Sequence, residues 1–131
     1  MRPNENSCVF DSSAVLAVLL DEPRSEEVSA RIGTAAISSV NLAEVATKLA
    51  DRGLGAVAIQ ASLSGLGLQV MSFHPQLAVQ VGLLRTITQA HGLSLGDRAC
   101  LALAQQMKLP VVTADRIWND LDVGVEVILI R

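Results

Sequence analysis

Four acidic residues stand at places in the chain where they could share a metal ion. Asp11, Asp97 and Asp115 follow or open apolar runs, and Glu44 lies inside an otherwise apolar stretch. Two carboxylates about 4 Å apart repel each other by roughly 4 kcal/mol at an effective dielectric near 20, so a group of them needs a cation. Oxygen ligands favour Mg²⁺ or Mn²⁺ over zinc. Such a site predicts phosphoryl chemistry, in which one or two hard ions orient water and stabilise charge on phosphate oxygens.

Each acid also has a simpler interpretation. Asp11, Asp97 and Asp115 are of a residue type that caps helices or occupies their first turns. Glu44 is harder to explain in this way, because it lies on a predicted helix rich in apolar residues and an unpaired buried carboxylate is costly. A Glu44 that faces solvent is the alternative. The joint pattern, rather than any single acid, therefore indicates a site.

Polar residues near these acids are candidates for a supporting role. Hydroxyl and amide side chains can hold a carboxylate or a water in place, and arginines can contact phosphate. The same residues can equally cap helices, pair with the acids or face solvent. The candidates are Ser12, Ser38, Asn41, Thr113, Arg98 and Arg116, and either Asp120 or Asp122 is an alternative to Asp115 as a ligand.

The composition predicts one compact domain spanning residues 1–131, because half of its residues are hydrophobic. The charged fraction of 18% lies below the usual value of about 25%, which predicts apolar surface covered by a partner. The net charge is -3, and without the four acids it is -3 - (-4) = +1, so the remaining surface tolerates a polyanion. Aromatic residues make up only 2%, which argues against a surface that stacks bases.

Several features predict a cytoplasmic protein with no membrane partner. Cys8 and Cys100 lie in apolar runs without the paired spacing of a zinc site or a redox dithiol, so we expect buried, reduced thiols. Residues 1–7 lack a signal-peptide pattern. The longest apolar run, residues 14–20, is too short to span a bilayer.

Short apolar segments separated by helical patterns predict an α/β fold with a mostly parallel sheet covered on both faces. At the carboxyl ends of parallel strands, ligands bind along one edge of the sheet, so the four acids are expected to meet there. The predicted strands are residues 7–10, 35–38, 68–73, 109–113 and 125–130. The predicted helices are residues 14–20, 25–32, 41–53, 55–66, 75–91 and 94–108, with a helical turn at 115–118.

The segments that carry the acids resemble those of PIN-domain ribonucleases and, within them, the VapC-type toxins of bacterial toxin–antitoxin pairs. The matching segments are VFDSSAVLAVLLDEP, ISSVNLAEVATKL, LSLGDRACLALA and LPVVTADRIW, and the resemblance extends from Val9 to Arg131. It implies a three-layer α/β/α sandwich with a sheet of about five strands. It also implies an Mg²⁺- or Mn²⁺-dependent endoribonuclease whose acidic quartet matches the four acids position by position.

The resemblance further implies an RNA substrate, often a tRNA or ribosomal RNA loop, a homodimer, and a cognate antitoxin that occupies the active-site groove. Helical residues 15–20 and the region 53–68 are candidates for a dimer or antitoxin groove, with internal packing as the equal alternative. A catalytically inactive PIN-like binding or regulatory module is the main competing hypothesis. A phosphoacceptor or nucleotide-binding domain has less support, because no glycine-rich loop follows the first strand.

Overall fold

A five-stranded parallel sheet forms the centre of the computed structural model, which describes residues 7–23 and 25–130. The order of its strands is β3-β2-β1-β4-β5, and all four pairings are parallel. The strands are β1 (Cys8–Phe10), β2 (Ala35–Ser38), β3 (Gln69–Met71), β4 (Val111–Thr113) and β5 (Val127–Leu129). The predicted α/β fold with a parallel sheet is therefore confirmed. The predicted polar N-terminal segment, apart from Ser7, lies outside the described residues.

Helices connect successive strands, as the sequence pattern predicts. They are α1 (Ser12–Leu19), α2 (Ser25–Ile32), α3 (Ser39–Asp51), α4 (Ala56–Ser64), α5 (Pro75–Thr88) and α6 (Leu95–Met107), with 3₁₀ turns at Gln89–His91 and Arg116–Asp120. Strand β2 has the predicted bounds, and the other four strands are shorter than predicted, most clearly β3 and β5, because hydrophobicity continues beyond the residues that pair with a neighbouring strand. The predicted long helix at 75–91 ends in one of the 3₁₀ turns.

Alternation of side chains along the strands creates two cores, one on each face of the sheet. Val9 and Val111 pack with α5 and α6, whereas Phe10 and Val112 pack with α1, α2 and α3. The helices therefore form layers above and below the sheet, which is the predicted three-layer α/β/α sandwich. None of the helices within the described ranges is both long and apolar enough to cross a bilayer.

The strand register brings distant residues to one edge of the sheet. Phe10 of β1 pairs with Val112 of β4, so the next residues lie side by side: Asp11 directly after β1 and Thr113 at the end of β4. Helix α3 starts at the carboxyl end of β2. Helix α6 runs back toward the start of β4, because a crossover between parallel strands must return the chain to the amino edge. The N-terminus of α6 therefore lies at the same carboxyl edge as Asp11.

The two regions predicted as a partner groove pack differently. Helix α1 buries Ala14, Val15 and Ala17, so much of its apolar character serves the core. Helix α4 buries no residue completely, and its Val57 is 82% exposed. Internal packing thus explains the inner face of α1, while α4 leaves apolar surface uncovered.

Candidate active site

Asp11 is the most buried of the four predicted acids, with 6% of its surface exposed. One carboxylate oxygen accepts hydrogen bonds from the Ser13 hydroxyl at 2.7 Å and the Ala14 backbone at 2.9 Å, which caps α1. The other accepts from the Thr113 hydroxyl at 2.5 Å. The same two hydroxyls accept from the backbone N–H groups of Ala114 and Asp115. The end of β4 and the start of α1 therefore hold this carboxylate in one orientation.

Burial dominates the electrostatics of Asp11. It raises the pKa of the carboxyl from its ordinary 3.8 to about 6, against the hydrogen bonds from Thr113, Ser13 and Ala14, which lower it. The negative charge of Asp97 raises the pKa further. The free protein thus keeps an ionised Asp11 at neutral pH only at a cost in stability, and a bound cation would remove that cost.

Glu44 lies against the first turn of α6. Its carboxylate accepts a hydrogen bond from the Asn41 amide at 2.8 Å, and the same amide nitrogen donates to the Gly96 carbonyl at 3.0 Å. A Cβ atom at Gly96 would lie 2.6 Å from the carboxylate carbon of Glu44. The glutamate therefore occupies the space where any other residue at position 96 would place its side chain.

Asp97 occupies the third position of α6 and forms a capping box with Ser94. Its carboxylate accepts from the Ser94 backbone at 3.0 Å, and the Ser94 hydroxyl accepts from the Asp97 backbone at 3.1 Å. One turn later, burial raises the pKa of the Cys100 thiol, and the charges of Asp11, Asp97 and Glu44 raise it further. A single buried thiol experiences all three carboxylates, so the three lie around the start of α6.

Asp115 is arranged differently from the other three acids. Its carboxylate accepts from the Ile117 backbone at 3.0 Å and caps the 3₁₀ turn Arg116–Asp120. It is linked to Asp11 through its backbone, which donates to the Thr113 hydroxyl. The capping interpretation thus describes Asp11, Asp97 and Asp115, while Glu44 caps no helix.

The carboxylates approach one another without forming a finished metal site. Within residues 7–23 and 25–130, no three acidic, histidine or cysteine side chains are close enough together to hold a metal ion. Like charges at a shared edge repel one another when no cation is present, and backbone hydrogen bonds already hold Asp11 and Asp97. The free protein therefore holds these carboxylates at the shared edge without bringing three of them into one ligand set within the described ranges.

The fold and the sequence together assign a family. The family model described as the PIN domain matches residues 8–124, which include all four acids. The chain belongs to the PIN-domain family. Membership places it among nucleases at the level of the family. No curated protein matches the chain in sequence.

Solved structures share this PIN fold at low sequence identity. A toxin-antitoxin complex from Klebsiella pneumoniae aligns with a TM-score of 0.74 at 19% identity, over 95% of this chain and 98% of that chain. DNA-bound VapBC from Salmonella typhimurium aligns with a TM-score of 0.74 at 20% identity, over 95% and 98%. VapC20 of Mycobacterium tuberculosis, described as a sarcin-ricin loop cleaving toxin, aligns with a TM-score of 0.69 at 18% identity, over 91% and 98%. The likeness extends over nearly the whole chain, and at these identities it concerns the fold.

The other residues singled out in the sequence divide into two groups in this PIN domain. Thr113 and Asn41 each donate a hydrogen bond to one of the acids. Ser38 instead caps α3, and Arg98 turns away to donate to the Val81 carbonyl of α5 at 3.0 Å. The hydroxyl of Ser12 forms no hydrogen bond within the described part of the chain. Arg116, Asp120 and Asp122 are exposed.

Two residues contribute to this PIN site that the sequence did not single out. Ser13, rather than Ser12, contacts Asp11, because the helical phase of the first turn of α1 directs only one of these adjacent side chains toward the carboxylate. Gly96 provides space for Glu44. Its position directly before Asp97 was visible in the sequence, but nothing there indicated a partner 52 residues away.

The residues at the start of α6 fit a hard divalent ion. The three carboxylates around Cys100 offer oxygen atoms only, the ligand type that Mg²⁺ and Mn²⁺ prefer. Nearby, the carbonyl oxygen of Asn41 is buried and accepts no hydrogen bond among the described residues. An oxygen-rich edge that is partly desolvated is suited to a cation and its waters.

The raised pKa of Asp11 predicts how metal-free stability depends on pH. The folded protein binds a proton at about pH 6, whereas an unfolded aspartate binds it near 3.8, so the folded state holds more protons between these values. The contribution of Asp11 to stability is therefore least favourable above pH 6 and improves on acidification toward pH 4. We expect thermal unfolding in a chelator to show this gain in wild type. An Asp11→Asn variant with the same pH dependence would contradict the explanation.

Proposed function

We propose that this PIN domain is an Mg²⁺- or Mn²⁺-dependent endoribonuclease and the toxin of a VapC-type toxin–antitoxin pair, active in the cytoplasm. The observation that carries the proposal is the placement of three acids at one edge. Asp11 directly follows β1, Asp97 lies in the first turn of α6, and the Glu44 carboxylate fills the space beside Gly96, the residue before Asp97. Family membership supports the nuclease class. The fold shared with a sarcin-ricin loop cleaving toxin supports RNA as the substrate.

In this proposal Asp11, Asp97 and Glu44 hold the ion, and Asp115 completes the acidic edge. A bound Mg²⁺ or Mn²⁺ would stabilise negative charge on phosphate oxygens and lower the pKa of water. The chain's own residues set the orientation of the ligands. Ser13 and Thr113 fix both oxygens of Asp11, and the Ser94 backbone fixes one oxygen of Asp97.

RNA enters past an exposed cation in this proposal. Arg116 lines an open cavity together with Ser13, Ala114 and Asp115, so its guanidinium is available to a phosphate next to the acidic edge. Arg98 is less available, because its guanidinium donates to the Val81 carbonyl. Among the two arginines that follow site acids, we therefore assign the phosphate contact to Arg116.

Loss of that contact should weaken RNA binding without affecting the ion. For Arg116→Gln we expect KM for RNA to rise several-fold and the salt dependence of binding to decrease by about one phosphate contact. Mn²⁺ affinity should stay the same. Arg52→Gln is the matched control, since Arg52 is exposed at the opposite end of α3. Equal effects of the two variants would assign the loss to net charge rather than to a contact.

Cleavage of total cellular RNA, with mapped ends, tests the proposed function most simply. Wild type should produce defined ends with Mg²⁺ or Mn²⁺ and none with a chelator. Asp97→Asn should abolish cleavage and remain folded, because an asparagine carbonyl can still accept the Ser94 hydrogen bond of the capping box. Metal-independent cleavage, or full activity of purified Asp97→Asn, would refute the proposal.

The inactive binding module is the second candidate, and one observation favours it. No three acids within the described ranges already lie close enough to hold an ion. Calorimetry with Mn²⁺ separates the two candidates. A nuclease should bind Mn²⁺ and lose that binding in Asp11→Asn. An inactive module should show no Mn²⁺ binding that depends on the carboxylates.

We also propose a cognate antitoxin and a homodimer as partners. The similar toxin-antitoxin complexes support an antitoxin, and the uncovered apolar surface of α4 around Val57 offers it a contact.

For the homodimer, support comes from an uncharged stripe on α5, where Val79, Leu83 and Ile87 are 66%, 69% and 61% exposed. These residues recur every four positions and so share one helical face. Small-angle scattering that reports a monomer at micromolar concentration would exclude the dimer.

A further inference from the structure

We propose that Asn41 is a positioning residue, which fixes the Glu44 carboxylate against α6 before any ion is bound. The inference rests on the proposed function in one respect: that the positioned Glu44 carboxylate then helps to bind the metal ion. Asn41 lies one turn before Glu44 on α3 and is 1% exposed. Its side-chain amide donates both to Glu44 of α3 and to the Gly96 carbonyl in the first turn of α6.

The orientation of the Asn41 amide follows from its partners. Both the Glu44 carboxylate and the Gly96 carbonyl are acceptors, and the amide nitrogen lies 2.8 Å from the first and 3.0 Å from the second. Only the NH₂ group can donate, so a flipped amide would place oxygen against oxygen twice. The two hydrogen bonds therefore specify one orientation and tie Glu44 to α6.

The other end of the amide argues against a purely structural role. The carbonyl oxygen of Asn41 is buried without a donor in the described part of the chain. A buried unsatisfied acceptor loses its hydrogen bonds to water, and this cost offsets much of what the two hydrogen bonds of the NH₂ group contribute. A residue that adds little net stability but orients a carboxylate is typical of groups that support ligands at a metal site.

Gly96 completes the arrangement from the opposite side. The carboxylate of Glu44 fills the volume beside its Cα, so helix backbone limits Glu44 on one side and the Asn41 amide holds it on another. The Glu44 carboxylate thus faces the same edge as Asp11 and Asp97. The charges of all three acids raise the pKa of the Cys100 thiol.

Mn²⁺ affinity of the purified, metal-free protein tests the proposal. We expect Asn41→Leu to weaken Mn²⁺ binding by about 10–100-fold, with an unfolding temperature in chelator within about 5 °C of wild type. Asn41→Ser, which keeps one donor, should lose less Mn²⁺ affinity than Asn41→Leu. Gln60→Leu, the same kind of change on the exposed face of α4, should leave Mn²⁺ affinity unchanged.

A double-mutant cycle distinguishes positioning from a general effect on the fold. If Asn41 acts through Glu44, Asn41→Leu should cost almost no further Mn²⁺ affinity in a Glu44→Gln background. An equal loss in both backgrounds would overturn the proposal, and so would unchanged affinity in the single variant.

A measurement without metal keeps this inference separate from the nuclease assignment. In ¹⁵N NMR spectra of the metal-free protein, both side-chain amide protons of Asn41 should exchange slowly with water, and Glu44→Ala should release one of them. Rapid exchange of both protons in wild type would refute the positioning role even if RNA is cleaved. Slow exchange in a protein that cleaves no RNA would leave the positioning role intact and refute the proposed function.

Discussion

Asp11→Asn is expected to abolish RNA cleavage and, at the same time, to stabilise the metal-free protein. Burial raises the pKa of Asp11 from 3.8 to about 6. Because one pKa unit corresponds to about 1.4 kcal/mol, the ionised carboxylate costs the folded protein up to about 3 kcal/mol at neutral pH. A neutral asparagine removes this cost. Loss of a residue that only supports a metal ligand costs up to about 100-fold. Loss of the ligand itself should therefore reduce cleavage by at least about 100-fold.

The hydrogen bonds around position 11 allow this substitution. The asparagine carbonyl can accept from Ser13 and Ala14 as the aspartate does, and its NH₂ group can donate to Thr113 once that hydroxyl rotates. Denaturant unfolding at pH 7 in a chelator measures the gain. Asp51→Asn, at an exposed position near the end of α3, is the control and should change neither quantity. Lower stability of Asp11→Asn would contradict the account of burial, and retained cleavage would contradict the account of function.

Gly96→Ala is the second substitution for which a large effect is expected. A Cβ atom at this position would lie 2.6 Å from the carboxylate carbon of Glu44, so the carboxylate has to leave. Displacement of a catalytic group by about 1 Å can cost about 100-fold in rate, and we expect a loss of cleavage of that order. The contact is with the end of a flexible side chain, and alanine favours the helix by up to about 1 kcal/mol. Stability should therefore change by no more than about 1 kcal/mol.

Gly82→Ala provides the matched control. Gly82 is also a helical glycine, and a Cβ there would have no atom within 4 Å. This variant should gain stability from the same helix preference and keep full activity. If Gly96→Ala cleaves RNA as wild type does, Glu44 is not held where catalysis needs it, and the arrangement around α6 has no functional meaning.

Much of the fold could be predicted because it depends on local patterns. The helix SEEVSARI was predicted at residues 25–32 and extends over Ser25–Ile32. Asp11 at the end of a buried strand was predicted to meet residues from the next parallel strands, since parallel strands share a carboxyl edge. Its contact with Thr113 follows from the register of β1 and β4.

The rest depends on side-chain directions that spacing along the chain does not specify. Arg98 directly follows Asp97, yet it reaches α5 instead of the acids. The exposed stripe of α5 was missed, because a largely apolar helix gives little indication of which face remains uncovered. The approach of Glu44 to Gly96 depends on how α3 and α6 pack, and no local pattern reports that distance.

We expect carboxylates from α3, α6 and the end of β1 to bind one kind of hard ion at the carboxyl edge of the sheet. Crystals grown with Mn²⁺, measured near the manganese absorption edge, test it most directly. We expect anomalous density at the start of α6 from an ion bound by Asp11 and Asp97, with Glu44 beside it. No density there at saturating Mn²⁺, or an ion bound by other residues, would contradict it.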